Sequence, residues 1–347
     1  MMEQIRPSMM KSMGAGAKPL SLNADPCQVG LKSLAVVRVR IKPVQNRSRL
    51  APGRFRKDSH AQFPRATAHT ITAEEAYLDR LLVARLLLPT SLPGIYARGV
   101  AFTQLMEGLE HHITRLGRTE GTFVLRCPPV LPRSTVEKCA QLLGCLCCFT
   151  EGMAEQEALI AVGDAGELPH REISDVVMAP AACYYVYPYL TGTLPAAGKT
   201  TDVENWCYRH EPSLNPLRMR SFRMREFVHA GTPEQALNFR DNGIERAQEF
   251  LASIGLNATL APQDAQACKF ELRIPVASNE RPTAVISSSY HQDHFGRLFE
   301  IHTPDGAAAH TACLAFGMER LALALLAEHG LQLKNWPARL QELLSLC

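Results

Sequence analysis

A chain of 347 residues with 46% hydrophobic content has room for one large domain or two small ones, and the composition of an ordinary globular protein. Its net charge of +3 singles out no partner, and no apolar run reaches the roughly 18 residues of a membrane span. The eleven cysteines are odd in number and without regular spacing, which argues against a disulfide framework and for reduced or metal-bound thiols in the cytoplasm.

Residues 1–70 hold thirteen Lys and Arg against three acids, Glu3, Asp25 and Asp58. The rest of the chain is mildly acidic, so bulk charge gives it little grip on a nucleic acid. Three readings of residues 1–70 stand side by side: a disordered basic extension, a start assigned too far upstream, or an acid-poor transit peptide. The folded domain is expected to begin at about residue 71.

A helix is predicted over 72–90. Thr72 caps it, Glu74 and Glu75 occupy its first turn, and Leu78, Leu81, Leu82 and Leu86 form its apolar stripe up to Pro89. A second helix runs from about Gly99 to Leu116 and stops at Gly117. Thr122 to Val130 reads as a strand, and Ser134 to Leu146 as another helix. Cys145 and Cys148 make a lone CxxC, weak as a zinc signal; these cysteines and Cys139 read as small buried apolar residues. Val176 to Tyr189 is apolar and aromatic, broken by Pro180 and Pro188, and is expected to be a strand leading into a pocket wall. Cys183, in its middle, reads on its own as a buried structural thiol.

Cys207 to Gln235 has the pattern of an antiparallel hairpin. A strand ends at Arg209-His210-Glu211, a turn follows with Pro212 and Pro216, and a return strand runs from Met219 to Val228. Alternation puts Arg223 and Arg225 on one face, and Arg220 with Phe222 and Met224 on the other. Guanidinium forks suit phosphate oxygens and an exposed ring suits a base, although a basic surface strand would show the same pattern. Thr232-Pro233-Glu234-Gln235 is a complete helix start, and that helix is expected to reach Ile254 before Gly255. Lys269 to Val276 and Thr283 to Ser289 read as strands, Tyr290 to Gly296 as a loop, and Leu298 to Ile301 as a short strand. His310 to Leu314 leads into a helix over Gly317–His329, closed by Gly330. Strands joined by hairpins with helices outside make an α+β fold on an antiparallel sheet. There is no internal repeat and no Gly-rich phosphate loop.

The pattern Arg209-x-Glu211, loop, Arg218-xxx-Phe222 resembles motif 2 of class II aminoacyl-tRNA synthetases. Gly317-Met318-Glu319-Arg320-Leu321 resembles motif 3, and Phe123 to Pro132 fits motif 1 loosely. Pro180 to Tyr184, Tyr290 to Gly296 and His310 to Cys313 resemble more narrowly the amino acid:[carrier protein] ligases, homologues of the catalytic domain of archaeal-type seryl-tRNA synthetases. The resemblance covers about residues 75 to 335. It implies a class II sheet flanked by helices, a homodimer formed through motif 1, and activation of an amino acid by ATP with Mg2+. By motif position, Arg209 would contact the α-phosphate and the substrate carboxylate, and Glu211 the adenine amino group. Arg218 and Arg320 would hold the γ-phosphate, and Phe222 would stack on adenine. The resemblance also implies a Zn2+ site at Cys183, Glu226 and Cys313, with the substrate amine in the fourth position. Val285 and Ile286 stand where seryl synthetases carry an acidic magnesium ligand, leaving Asp293 as a weak substitute.

The implied acceptor is the phosphopantetheine thiol of a small acidic carrier protein, with glycine or alanine as the expected amino acid. Aminoacylation of tRNA is the second choice: residues 1–70 lack the heptads of a helical tRNA-binding arm and the 27 residues after Arg320 are too few for an anticodon-binding domain, but the basic N-terminal segment could still contact nucleic acid. A non-catalytic nucleotide-binding relative is the third, and retention of Arg209, Glu211, Phe222 and Arg320 speaks against it.

Overall fold

The structure, a computed structural model, describes residues 71–140, 175–209, 213–263 and 267–346. The N-terminal segment 1–70, Glu211 and the cysteines at 145, 147 and 148 lie outside the described residues. In chain order the elements are α1 (Ala73–Val83), β1 (Leu87–Pro89), β2 (Tyr96–Arg98), α2 (Val100–Gly117), β3 (Phe123–Arg126), β4 (Val130–Pro132), α3 (Arg133–Ala140) and β5 (Val176–Met178). There follow β6 (Gly192–Thr193), β7 (Lys199–Tyr208), β8 (Ser221–Gly231), α4 (Pro233–Ser253), β9 (Thr259–Pro262), β10 (Lys269–Ile274) and β11 (Thr283–Gln292). The last are α5 (His294–Leu298), β12 (Ile301–His302), β13 (His310–Gly317), α6 (Met318–His329) and α7 (Ala338–Leu343).

Seven strands form the central sheet in the order β3-β7-β8-β13-β11-β10-β9. All neighbours are antiparallel except the edge pair β3 and β7, which is parallel. Side-chain alternation gives the sheet two unlike faces. On one, Phe227, Leu314, Phe316, Ile286 and Leu272 pack under α2, α4 and α6. On the other, Val203, Cys207, Val228 and Cys313 meet Tyr184, Tyr187, Phe295 and Phe299.

The expected caps are present. Thr72 and Glu75 exchange hydrogen bonds of 2.9 and 3.2 Å at the start of α1, and Thr232 and Gln235 do the same at the start of α4. Helix α1 ends earlier than its apolar stripe suggested, because Arg85 takes a left-handed φ of 56° and the chain turns into β1. The run from Val176 to Tyr189 is a strand only over its first three residues. Beyond Pro180 it coils into two 3-10 turns, Cys183–Tyr185 and Tyr187–Leu190. The expected loop and strand around residues 290–301 are instead the end of β11, α5 and the two-residue β12.

Gly117 ends α2 for a reason other than a left-handed turn. A Cβ there would lie 2.1 Å from Cζ of Phe227, so the ring needs the missing side chain. Gly243 in α4 is the contrast, since its Cβ would meet Leu314 at an ordinary 3.6 Å. Gly117→Ala is therefore expected to cost about 1–3 kcal/mol through overpacking. Gly243→Ala is expected to be neutral or to stabilise by up to about 1 kcal/mol through helix propensity. Urea unfolding midpoints of the two variants check the difference in sign.

Candidate active site

The reverse face of the hairpin sets the geometry of the front. Arg225 is almost wholly buried and clamps Asp202 of β7 through Nε at 2.9 Å and Nη2 at 2.7 Å, while its Nη1 donates to the Glu110 carbonyl at 3.1 Å. Arg118 adds a third bond to Asp202 at 2.6 Å. Burial alone would raise the Asp202 carboxyl, but the hydrogen bonds and charges of Arg225, Arg118 and Arg126 hold it below its ordinary value. Arg223 pairs with Glu110, and its backbone N–H donates to Glu319 Oε2 at 2.7 Å. Arg98 closes the network onto Glu319 and lies 4.3 Å over the Trp206 ring. Burial pushes the Glu319 carboxyl up, and Arg98 and Arg223 offset this only in part. Arg223 and Arg225, whose pattern left open a phosphate contact or a basic surface strand, are thus committed to carboxylates within the fold.

The front face opens into a cavity of about 170 Å³. Register places its floor in rows across four strands. One row is Glu226, Ala315, Ser287 and Glu271; the next is Cys313, Ser289 and Lys269, with the buried Val228 beside Cys313 behind the floor. The segment Pro180–Cys183 forms one wall, and Arg209 with Pro216 and Leu217 of the hairpin forms another. Helix α6 contributes Glu319 and Arg320 from its first turn.

Arg209 and Arg320 share this cavity, as the motif pattern required. Arg320 donates from Nε to the Leu217 carbonyl and from Nη1 to the Ala284 carbonyl, both at 2.9 Å, and so ties the hairpin loop to β11. The Arg209 guanidinium lies 4.3 Å over the ring of Phe222, which also faces the cavity. Arg218 follows Pro216 and Leu217 on a 3-10 turn, half-buried and outside the cavity wall.

Cys183, Glu226 and Cys313 also line the cavity, each with only 4% of its surface exposed. Glu226 Oε1 accepts from the Ala182 N–H at 3.2 Å, which brings it beside the Cys183 turn. Glu226 and Cys313 are diagonal neighbours on β8 and β13. Among the described residues no three His, Cys, Asp or Glu side chains form a group that could hold a metal. The three donors therefore share a wall without forming a closed site, yet two thiols and a carboxylate are a donor set that suits zinc. Cys139 behaves as expected of a buried thiol, pushed up to about 12 by its surroundings. Asp293 does not reach the cavity; it pairs with Arg297 at 2.6 Å toward solvent.

Lys269, Glu271, Ser287 and Ser289 were read from the sequence only as strand residues. Glu271 pairs with Lys269 at 3.0 Å and Arg273 at 2.8 Å; burial would raise its carboxyl, but the two cations hold it low. A usable signal was present. Lys269, Glu271 and Arg273 alternate with Phe270, Leu272 and Ile274, and a charged face on a strand paired on both sides requires a polar cavity.

No family model matches the chain. It is 39% identical over 279 residues to amino acid–[acyl-carrier-protein] ligase 1 of Bradyrhizobium diazoefficiens, covering 73% of this chain and 85% of that one. The chain belongs to the amino acid–[acyl-carrier-protein] ligase family. Ligase 2 of the same organism is likewise 39% identical, over 280 residues, and this ligase spans 84% of its length. The type-2 serine–tRNA ligase of Methanococcus aeolicus is 24% identical over 284 residues, with 70% of this chain and 52% of that protein covered. The M. kandleri SerRS, solved in complex with A. aeolicus tRNASec, superposes with a TM-score of 0.66 at 18% identity, over 81% of this chain and 62% of that one. That likeness shows the fold: the ligase has the class II synthetase sheet.

The Asp202 carboxyl gives a pH test of the hairpin clamp. A carboxyl held low in the fold contributes stability that is complete above its unfolded value and is lost as pH falls through its folded value. Asp202→Asn should cost about 3–5 kcal/mol at pH 7 by stranding Arg225. It should also flatten the fall in stability below about pH 4. Urea midpoints measured from neutral to acid pH check both; parallel curves for wild type and variant would remove the role.

Proposed function

We propose that this ligase activates an amino acid with ATP and passes it to the phosphopantetheine thiol of a small acidic carrier protein. In the first step a carboxylate oxygen of the amino acid bonds to the α-phosphorus of ATP, the bond to the β-phosphate oxygen breaks, and pyrophosphate leaves. In the second the thiol attacks the acyl carbon of the adenylate, gives up its proton, and AMP leaves. ATP enters with Mg2+ as part of the nucleotide substrate. The observation that carries the reading is the shared cavity: Arg209 and Arg320 meet Cys183, Glu226 and Cys313 in one space.

Arg209 holds the α-phosphate and the substrate carboxylate close together, which supplies orientation and charge rather than a base. Arg320, with Arg218 moving in from the turn, holds the γ-phosphate. Phe222 takes the adenine ring once Arg209 turns from it to phosphate, and Glu211 accepts from the adenine amino group. Cys183, Glu226 and Cys313 would hold Zn2+, whose open position would anchor the substrate amine and so select amino acids over other carboxylic acids. The Lys269–Glu271 pair makes the far part of the floor polar, which disfavours a long apolar side chain and supports glycine or alanine.

Strand β3 supports a homodimer through motif 1. It is an edge strand of the sheet that exposes Phe123 and Val124 at 40% and 42%. Sedimentation equilibrium should give twice the chain mass; a monomer at micromolar concentration would remove this part. No helix among the described residues is long and apolar enough to cross a membrane, and the cysteine-rich composition supports placement in the cytoplasm.

Amino-acid-dependent ATP–pyrophosphate exchange tests the first step. Arg320→Ala should lower exchange about 100-fold or more, as loss of a charge-stabilising donor does. No exchange by the wild type with any amino acid would end the enzyme reading. Charging of tRNA in preference to phosphopantetheinylated carrier protein would replace the acceptor. Cys313→Ala should lose the zinc that the wild type retains through dialysis; equal metal content in both would remove the zinc site.

A further inference from the structure

Strand β11 ends in a bulge rather than in a plain loop. Its pairing with β13 slips between Tyr290 and Gln292, which leaves His291 as the extra residue. Gln292 completes the bulge at φ 54°, a left-handed conformation that costs a non-glycine residue about 1–2 kcal/mol. His291 lies two residues beyond Ser289, the partner of Cys313, so strand alternation carries its imidazole to the Cys313 face. Its Nδ1 lies 3.1 Å from Thr311 Oγ1, and its Nε2 lies 3.7 Å from Cys313 Sγ.

Thr311 and Cys313 are two residues apart on β13 and so point to the same face. One ring spans both. The buried ring of Phe295 meets it edge-on, with centroids 5.1 Å apart at 83°. A Thr311 hydroxyl that donates to Nδ1 would leave the imidazole proton on Nε2, facing the sulfur. The cavity wall includes Cys313 but not His291, so the histidine reaches the sulfur from outside the substrate space.

We propose that His291 is the positioning residue for Cys313, donating its Nε2–H to the Cys313 sulfur. The bond fixes the side chain toward Cys183 and Glu226 and takes up part of the thiolate charge when a metal is held there. Because the role is defined by the metal site proposed above, it stands only if that site exists. Alternation along β11 brings the ring to the β13 face that carries Thr311 and Cys313, and the pairing of the two strands ends one residue later, at Gln292.

The test is the zinc affinity of the full chain, measured by competition with a chromophoric chelator, together with the absorption spectrum of the Co2+-loaded protein. His291→Ala and His291→Phe should each weaken zinc about 10–100-fold, the usual effect of losing an outer hydrogen bond to a ligand. The phenylalanine keeps a ring against Phe295, so its loss of affinity reports the donor rather than the packing. His291→Gln, which retains an N–H donor, should recover most of the affinity. The Co2+ d–d bands should keep their positions in all three. A wild type that binds no zinc would sink the metal reading and this role with it. A wild type that binds zinc, with the phenylalanine variant binding equally tightly, would overturn this role alone. Displaced Co2+ bands in the phenylalanine variant would make His291 a ligand and also overturn it.

Discussion

The ion pair between Arg225 and Asp202 decides which way the hairpin faces. Arg225 is the largest of the fully buried side chains, and Asp202 is completely enclosed. A one-residue slip of β8 would turn Arg225 into the cavity and Glu226 into the helix layer, stranding a charge on each side. The unslipped register keeps the cationic residues at 223 and 225 on carboxylates and leaves 222, 224 and 226 to the cavity. Buried pairs add little net stability against an apolar replacement, but breaking one is expensive. The clamp is better understood as a constraint on register, from which the position of every front-face group follows.

Glu319 extends the same constraint to α6. It lies beside Arg320 in sequence and accepts from the Arg223 N–H, so the first turn of α6 is pinned to β8. Arg98 reaches the same carboxylate from β2, which ties the N-terminal strands to this corner. Arg320 then bridges in the other direction, to Leu217 and Ala284. Two adjacent residues of one helical turn thus hold the back of the hairpin and the rim of the cavity together.

What could be read in advance was local. The start of α4 has its full signature in four residues, Thr232 to Gln235, and the structure forms it as written. The hairpin and the two arginines of the site were legible because turn chemistry and motif spacing are carried by neighbouring residues. The turns at Cys183 were not, because an aromatic run has strand propensity and only its tertiary setting coils it. The floor residues Lys269 and Ser289 were missed because they join Cys313 through register across three strands. His291 was harder still, since its approach to Cys313 rests on the same strand register and nothing local in YHQDH marks it.

On the proposed reading, the stacked pair of Arg209 and Phe222 would let the cavity take a nucleotide without rebuilding its walls. Both side chains line the cavity, and the guanidinium lies over the ring. A cation–π contact of this kind is worth about 0.5–2 kcal/mol. A charge-assisted bond from the same guanidinium to a phosphate oxygen is stronger, and the freed ring face gains a base in exchange. Turning Arg209 needs only side-chain rotation, because its backbone N–H stays bonded to the Arg220 carbonyl at 2.9 Å. The hairpin would therefore stay fixed by its reverse face while its front face traded one partner for another, and this separation would allow a rigid sheet to bind the large and highly charged substrate proposed for it.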